Sequence, residues 1–467
     1  MAKAAKTTAP AKTKTASKAA APVKDTAKPQ AKAGAGKAAK PAATKARAAA
    51  KPAAAKSAAT KPAAAKPAAK AAPTKAISPA PAAKPAPAKR LPKALTELAA
   101  GLPEKPWLAS YSKNMPAEIG PLPYGSIGDF LVGACKQFAG QPAFVCMGKA
   151  ITYAELERQS AAFGAFLQSK GLQKGARVAL MMPNVLQYPV AMMAVLRAGF
   201  TVVNVNPLYT PRELEHQLKD SGAQAIVILE NFANTLQAVI SNTSVKHVVV
   251  AAMGDMLGGL KGTLVNFVVR RVKKLVPAWS LPGHVKFNAA LKAGAGLAFK
   301  PASVSADDIA FLQYTGGTTG VSKGAILLHS NVLANVAQNA LWLQDAYAVK
   351  PKPAHPNFIC ALPLYHIFAL TVNALMGMQQ GAQNVLIPNP RDIPGFVKEL
   401  EKYPVHIFPG LNTLFNALLN NEDFRKLDFK PLILTLGGGM AVQKGVAERW
   451  KALTGCPVTE GYGLSET

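Results

Sequence analysis

Ile309-Ala310-Phe311-Leu312-Gln313-Tyr314-Thr315-Gly316-Gly317-Thr318-Thr319-Gly320-Val321-Ser322-Lys323-Gly324-Ala325-Ile326-Leu327-Leu328 reads as strand, loop and strand. The loop carries four glycines, three threonines, a serine and a lysine. Glycines let backbone N–H groups converge on an anion, hydroxyls add donors, and a lysine adds a compact positive charge. These are the ingredients of a phosphate cradle, and a plain hairpin would need only one or two of the glycines. The spacing is not that of a Walker loop, because Val321 and Ser322 separate Gly320 from Lys323 and no helix pattern follows.

Working outward, strand and helix patterns alternate. Thr152 is a plausible helix N-cap before Tyr153-Ala154-Glu155-Leu156, with apolar residues at helical spacing through Phe163, Phe166 and Leu167 to Gly171; this predicts a surface helix. Arg177–Met182, Thr201–Val205, Ala225–Leu229 and Val248-Val249-Val250 read as apolar strands, with helices over 189–198 and 211–221 between them. Near-continuous apolar strands separated by helices imply an α/β fold with parallel sheets covered on both faces. His247 reads as a strand-edge residue, and His329 as a structural residue before a helix cap at Ser330.

Two later motifs follow the loop in order. Gly437-Gly438-Gly439-Met440 ends the apolar run 432–436, and Glu460-Gly461-Tyr462-Gly463-Leu464-Ser465-Glu466-Thr467 closes the chain. Together with Tyr314 to Ala325, these resemble the three nucleotide motifs of the adenylate-forming (AMP-binding) superfamily, which contains acyl-CoA synthetases, luciferases and peptide-synthetase adenylation domains. The resemblance implies the large N-terminal domain of such an enzyme. ATP would lie on the loop residues Tyr314, Thr315, Gly316, Gly317, Thr318, Thr319, Gly320, Val321, Ser322, Lys323, Gly324 and Ala325. Gly437, Gly438 and Gly439 would let adenine lie against the backbone, Tyr462 and Gly463 would pack beside it, Ser465 would meet the α-phosphate, and Glu466 would hold Mg²⁺. Thr318, Lys323 and Glu466 become candidate catalytic residues. Ser465 stands where threonine is usual and keeps the hydroxyl; Ala441 stands where proline is common and bears only on loop rigidity.

Leu362-Pro363-Leu364-Tyr365-His366-Ile367-Phe368-Ala369-Leu370, Asn389-Pro390-Arg391-Asp392-Ile393-Pro394-Gly395 and 411–419 resemble the bacterial long-chain fatty-acid:CoA ligases in particular. That likeness implies a fatty acid, ATP and coenzyme A as substrates, His366 beside the acyl carboxylate, and dimers as a common state. Medium-chain and aromatic acids stay open, since tunnel depth is not readable here. The resembled family continues beyond this third motif with a ribose-binding aspartate, a hinge and a small lysine-bearing domain; the expectation is therefore an incomplete domain over 94–467 that is inactive alone.

Charge divides the chain. Of a formal +30, about +21 lies in residues 1–93, where 22 Lys and Arg face the single acid Asp25. This Ala/Lys/Pro repeat has almost nothing to bury and scattered prolines, so a disordered tail is expected. It resembles the tails of histone-H1-like bacterial proteins, and non-specific DNA or polyanion binding is one expected role. A competing reading is a non-enzymatic polyanion-binding protein built on a degenerate adenylation body, against which the intact loop argues. Four scattered cysteines show neither disulfide nor zinc spacing and fit a reducing cytoplasm. No signal-peptide core or span of about 18 apolar residues is seen. Leu264, Val265, Val268, Val269, Val272, Leu275 and Val276 share one helical arc, with Arg270, Arg271, Lys273 and Lys274 outside or at its edge. This basic amphipathic pattern over 264–276 predicts a peripheral contact at the inner face of the cell membrane.

Overall fold

The apolar runs that demand two-sided cover become strands. In a computed structural model, which describes residues 105–316 and 321–466, these are β1 (Pro142–Cys146), β2 (Lys149–Thr152), β3 (Arg177–Met181), β4 (Thr201–Asn204), β5 (Ala225–Leu229), β6 (His247–Ala251), β7 (Val285–Lys286), β8 (Ile309–Thr315), β9 (Lys323–Leu328), β10 (Asn357–Cys360), β11 (Gln383–Leu386), β12 (Ile407–Gly410), β13 (Leu434–Gly437) and β14 (Val458–Glu460). The tail assigned to 1–93 and the start of the body lie outside the described residues.

The strands form two sheets, ordered β14-β13-β12-β10-β11-β1-β2 and β7-β6-β5-β3-β4-β8-β9. Every pairing is parallel except the edge hairpins β1–β2 and β8–β9. Parallel strands need crossovers, and helices supply them. The helix Gln187–Arg197 is buried at every position. Its residues share one apolar core with Phe144 of the first sheet and Val178 and Leu180 of the second, as a helix apolar all round requires. A second core covers the first sheet, where Trp450 packs on Phe408, Phe415 and Phe424 and its indole N–H donates to Thr435.

Local signals set the boundaries. Thr152 and Thr210 each close a reciprocal capping box with a glutamate three residues on, starting the helices Tyr153–Gln168 and Pro211–Ser221. The helix Tyr153–Gln168 keeps Ala154 and Arg158 exposed, as a surface helix does, and packs against the helix Phe287–Ala295 so closely that a Cβ on Gly294 would sit 1.8 Å from the Ala162 carbonyl. Two expectations change. The helix after β9 starts at His329, so Ser330 lies in its first turn. The stripe 264–276 is not one α-helix: it runs as α-helix over Gly259–Phe267 and as a π turn over Val268–Val272, with Lys274 at φ +49 beyond it. No described helix is long and apolar enough to cross a membrane.

Candidate functional site

The strands that flank the loop, β8 and β9, pair as the sequence implies. Antiparallel register places Thr315 opposite Lys323 and Tyr314 opposite Gly324. Gly324 has to lack a side chain, since a Cβ there would fall 2.9 Å from the Tyr314 ring. Gly316, Val321, Ser322, Lys323 and Ala325 flank the turn, with Val321 and Lys323 exposed. Gly317, Thr318, Thr319 and Gly320 lie outside the described residues. The helix Pro211–Ser221 brackets both sides of the turn. Tyr314 donates its hydroxyl to Asp220 at 2.6 Å, and His216 Nε2 bonds the Ser322 carbonyl at 2.9 Å. A carbonyl only accepts, so Nε2 carries the proton. Burial and the Asp220 carboxylate raise the Tyr314 hydroxyl pKa, which keeps it a donor. Tyr314 thus shapes the loop with its hydroxyl already engaged.

The glycine motif sits at the carboxyl end of β13. Gly439 takes φ +73, a conformation glycine reaches without strain. A Cβ on Gly438 would meet the Phe368 ring at 3.0 Å and the Gly461 carbonyl at 3.1 Å. Gly461 N donates to the Gly437 carbonyl at 2.7 Å, joining this turn to the segment after β14. There Tyr462 is 94% exposed, Gly463 and Glu466 are exposed, and Ser465 is half-buried.

His366 follows β10. Its Nδ1 accepts from Phe368 N at 3.4 Å and caps the short helix Ile367–Ala369, which leaves the neutral ring's proton on Nε2. Desolvation holds its pKa below the ordinary value, so the ring is neutral at pH 7. The preceding segment is gripped from the other sheet's side. Asn184 donates to the carbonyls of Cys360 and Leu362 and accepts from Leu364 N, each at 2.9 Å. Tyr188 OH lies 2.9 Å from the Leu364 carbonyl, and Gln313 Nε2 donates to the Tyr365 carbonyl at 2.7 Å. His329 is structural, as expected: it is buried, its Nδ1 accepts from Ile127 N at 3.0 Å, and burial pushes its pKa down to about 4.

The loop after β8, the His366 segment after β10 and the turns after β13 and β14 all leave carboxyl ends of parallel strands, where α/β sheets bind ligands. Phe368 against Gly438 brings the His366 segment to the glycine turn, and Gln313 brings it to β8. Sequence reasoning did not single out Asn184, Tyr188, Asn204, Gln313, His216 or Asp220. The available signal was polarity within buried apolar segments, as at Asn204 and Gln313.

These features define an α/β body whose motif-bearing segments gather at the carboxyl ends of its strands. Gly439 is exposed at this turn while Gly438 is buried beneath Phe368, and the exposed Glu466 carboxylate is a hard oxygen of the kind Mg²⁺ takes alongside phosphate oxygens. A family model described as "AMP-binding enzyme" matches residues 132–467, and the chain belongs to that family. It is 56% identical over 364 residues to the long-chain-fatty-acid–CoA ligase of Salmonella typhimurium, covering 78% of this chain and 64% of that protein. The figures are the same for the enzyme of that name from Yersinia pestis. Among solved structures, the anthranilate CoA ligase AuaEII in complex with anthranoyl-AMP superposes with a TM-score of 0.61 at 20% identity, covering 74% of this chain and 61% of that one; this shows the fold. The chain spans 64% of the length of the curated relatives it matches.

Proposed function

We propose that the protein is an ATP-dependent acid–thiol ligase acting on long-chain fatty acids. The observation that carries the reading is the convergence of the phosphate-loop strand, His366 and the Gly437–Gly439 turn. The 56% identity to long-chain-fatty-acid–CoA ligases supports the substrate class. In this reading the fatty carboxylate attacks the α-phosphorus of ATP and pyrophosphate leaves; the thiol of coenzyme A then attacks the acyl carbon of the acyl adenylate, and AMP leaves with loss of the thiol proton. Neutral His366 offers its Nε2–H to one carboxylate oxygen and aims the other at phosphorus. Lys323, with Thr318 and the loop N–H groups, stabilises charge on the phosphate oxygens. Tyr462 and Gly463 flank the base, Ser465 meets the α-phosphate, and Glu466 would hold Mg²⁺, which neutralises phosphate charge when bound. Acid-dependent pyrophosphate release and acyl-CoA formation by the protein test the reading. Release that no long-chain, medium-chain or aromatic acid stimulates would reject it.

The reading includes a peripheral membrane contact, because the helix 259–272 is inverted. Its polar and small residues face the protein: Gly262 is buried against Gly254, Asn266 accepts from Gly254 N at 2.7 Å, and Arg270 forms a two-pronged ion pair with buried Glu230 at 2.8 to 3.0 Å. Most of its large apolar residues face water, with Leu260 92% exposed and Leu264, Phe267 and Val272 also exposed, as is Leu275 just beyond it, while Val265 packs on the core and Val268 and Val269 are half-buried. Exposed Lys261, Arg271, Lys273 and Lys274 rim the patch, matching an anionic lipid surface. Arg270, engaged with Glu230, anchors the helix and is not a lipid contact. Flotation with anionic vesicles that is unchanged by Leu264→Asp and Phe267→Asp would reject this contact.

For residues 1–93, the charge supports salt-dependent binding of DNA or another polyanion, and equal binding by a chain starting at Ala94 would reject it. A homodimer belongs to the proposal through the family likeness, and sedimentation at the monomer mass would remove it.

A further inference from the structure

We propose that Gln313 is a positioning residue that sets His366 against the phosphate loop. The inference deepens the ligase reading and rests on it. Gln313 is 3% exposed, on the strand that leads directly into Tyr314, Thr315 and Gly316. Asn204 stands beside it in register on β4. Asn204 Nδ2 donates to Gln313 Oε1 at 3.0 Å, and Gln313 Nε2 donates to the Tyr365 carbonyl at 2.7 Å. That carbonyl can only accept, which fixes which way the Gln313 amide points. Asn204 is itself held: its Oδ1 lies 2.7 Å from Tyr188 OH, and its carbonyl accepts from Gln217 Nε2 at 2.7 Å.

The consequence is a rigid link across the site. One buried side chain joins the strand that carries the nucleotide loop to the residue before His366. The Tyr188 hydroxyl, with a single hydrogen for two acceptors, tends both Asn204 and the neighbouring Leu364 carbonyl. In a low-dielectric interior each of these bonds strengthens the others, and losing one strands a desolvated carbonyl. A strand has no catalytic need for a buried carboxamide two residues before its end. Holding the acid-binding segment at a fixed distance from the α-phosphate supplies one, because adenylation depends on alignment of carboxylate and phosphorus.

The test is equilibrium binding of AMP and of palmitoyl-sulfamoyl-adenosine, a stable acyl-adenylate mimic, to the full chain and its variants. Gln313→Met keeps length and loses both hydrogen bonds. It should weaken the mimic about tenfold and AMP less than about twofold. In a His366→Ala background the same substitution should add less than about twofold, because Gln313 acts through His366. Equal losses for AMP and the mimic, or a full tenfold loss on top of His366→Ala, would overturn the proposal. Tyr188→Phe removes one oxygen and should give the same split at about threefold; a loss confined to AMP would count against the link. Hydrogen exchange across 362–368 should accelerate in Gln313→Met relative to β5, and unchanged exchange there would overturn the grip itself. A wild-type chain that binds the mimic no more tightly than AMP would instead sink the ligase reading.

Discussion

The two halves of the site are built by different means. The half proposed to hold nucleotide is made of turns at strand ends, where glycines strip away side chains and Lys323, Tyr462 and Glu466 stand exposed. The half proposed to hold the acid is a segment clamped from below by buried amides and a buried phenol, with His366 at its tip. Groups that meet a ligand are therefore separable from groups that hold the frame, and substitutions in the two halves should fail differently.

The largest separation is expected at Lys323. Lys323→Ala should lower acid-dependent ATP–pyrophosphate exchange by about 10³-fold, as losing one pre-placed charge donor does, with the folded state intact. Unchanged exchange would remove Lys323 from the chemistry. Asn184→Leu attacks the frame and should do the reverse. It strips three 2.9 Å bonds from a residue 2% exposed, so denaturant unfolding should show a loss of about 3 kcal/mol. A loss below about 1 kcal/mol would mean that the clamp contributes little to stability.

His329 sharpens the frame side through pH. Its folded pKa of about 4 lies below the ordinary 6.5, so between these values the unfolded chain binds the extra proton. Its contribution is present in full above pH 6.5 and declines as pH falls towards 4, by about 2 to 3 kcal/mol. His329→Gln should flatten that part of the stability–pH curve, and an unaltered slope would contradict the assignment. The smallest effect is at Gly438. Gly438→Ala presses a methyl against Phe368 and the Gly461 carbonyl and should weaken AMP about tenfold, with a loss of about 1 kcal/mol in denaturant unfolding. Unweakened AMP binding would move the base elsewhere.

Legibility follows the same division. The β8–β9 hairpin could be read because apolar strands flank a run of glycines and hydroxyls whose density has no cheaper explanation. The parallel sheets could be read from β3, β4 and β5, whose runs are apolar on both faces. The clamp could not be read this way, because Asn184, Asn204 and Gln313 have no spacing rule and their partners, backbone groups of 360–365 and the side chains of one another and of Tyr188, lie in other elements. The inverted helix was half legible. Its apolar stripe stands in the sequence, but the direction it faces depends on Gly254 meeting Gly262 and Arg270 meeting Glu230, contacts no local pattern announces. The π turn at Val268–Val272 broke the assumed 3.6-residue period for the same reason.

The central claim is that nucleotide and acid halves form one site, and competitive titration tests it most directly. Palmitoyl-sulfamoyl-adenosine should displace AMP from the full chain and bind at least about 100-fold more tightly, since it joins both halves in one ligand. Binding without displacement, or no more tightly than AMP, would contradict the account.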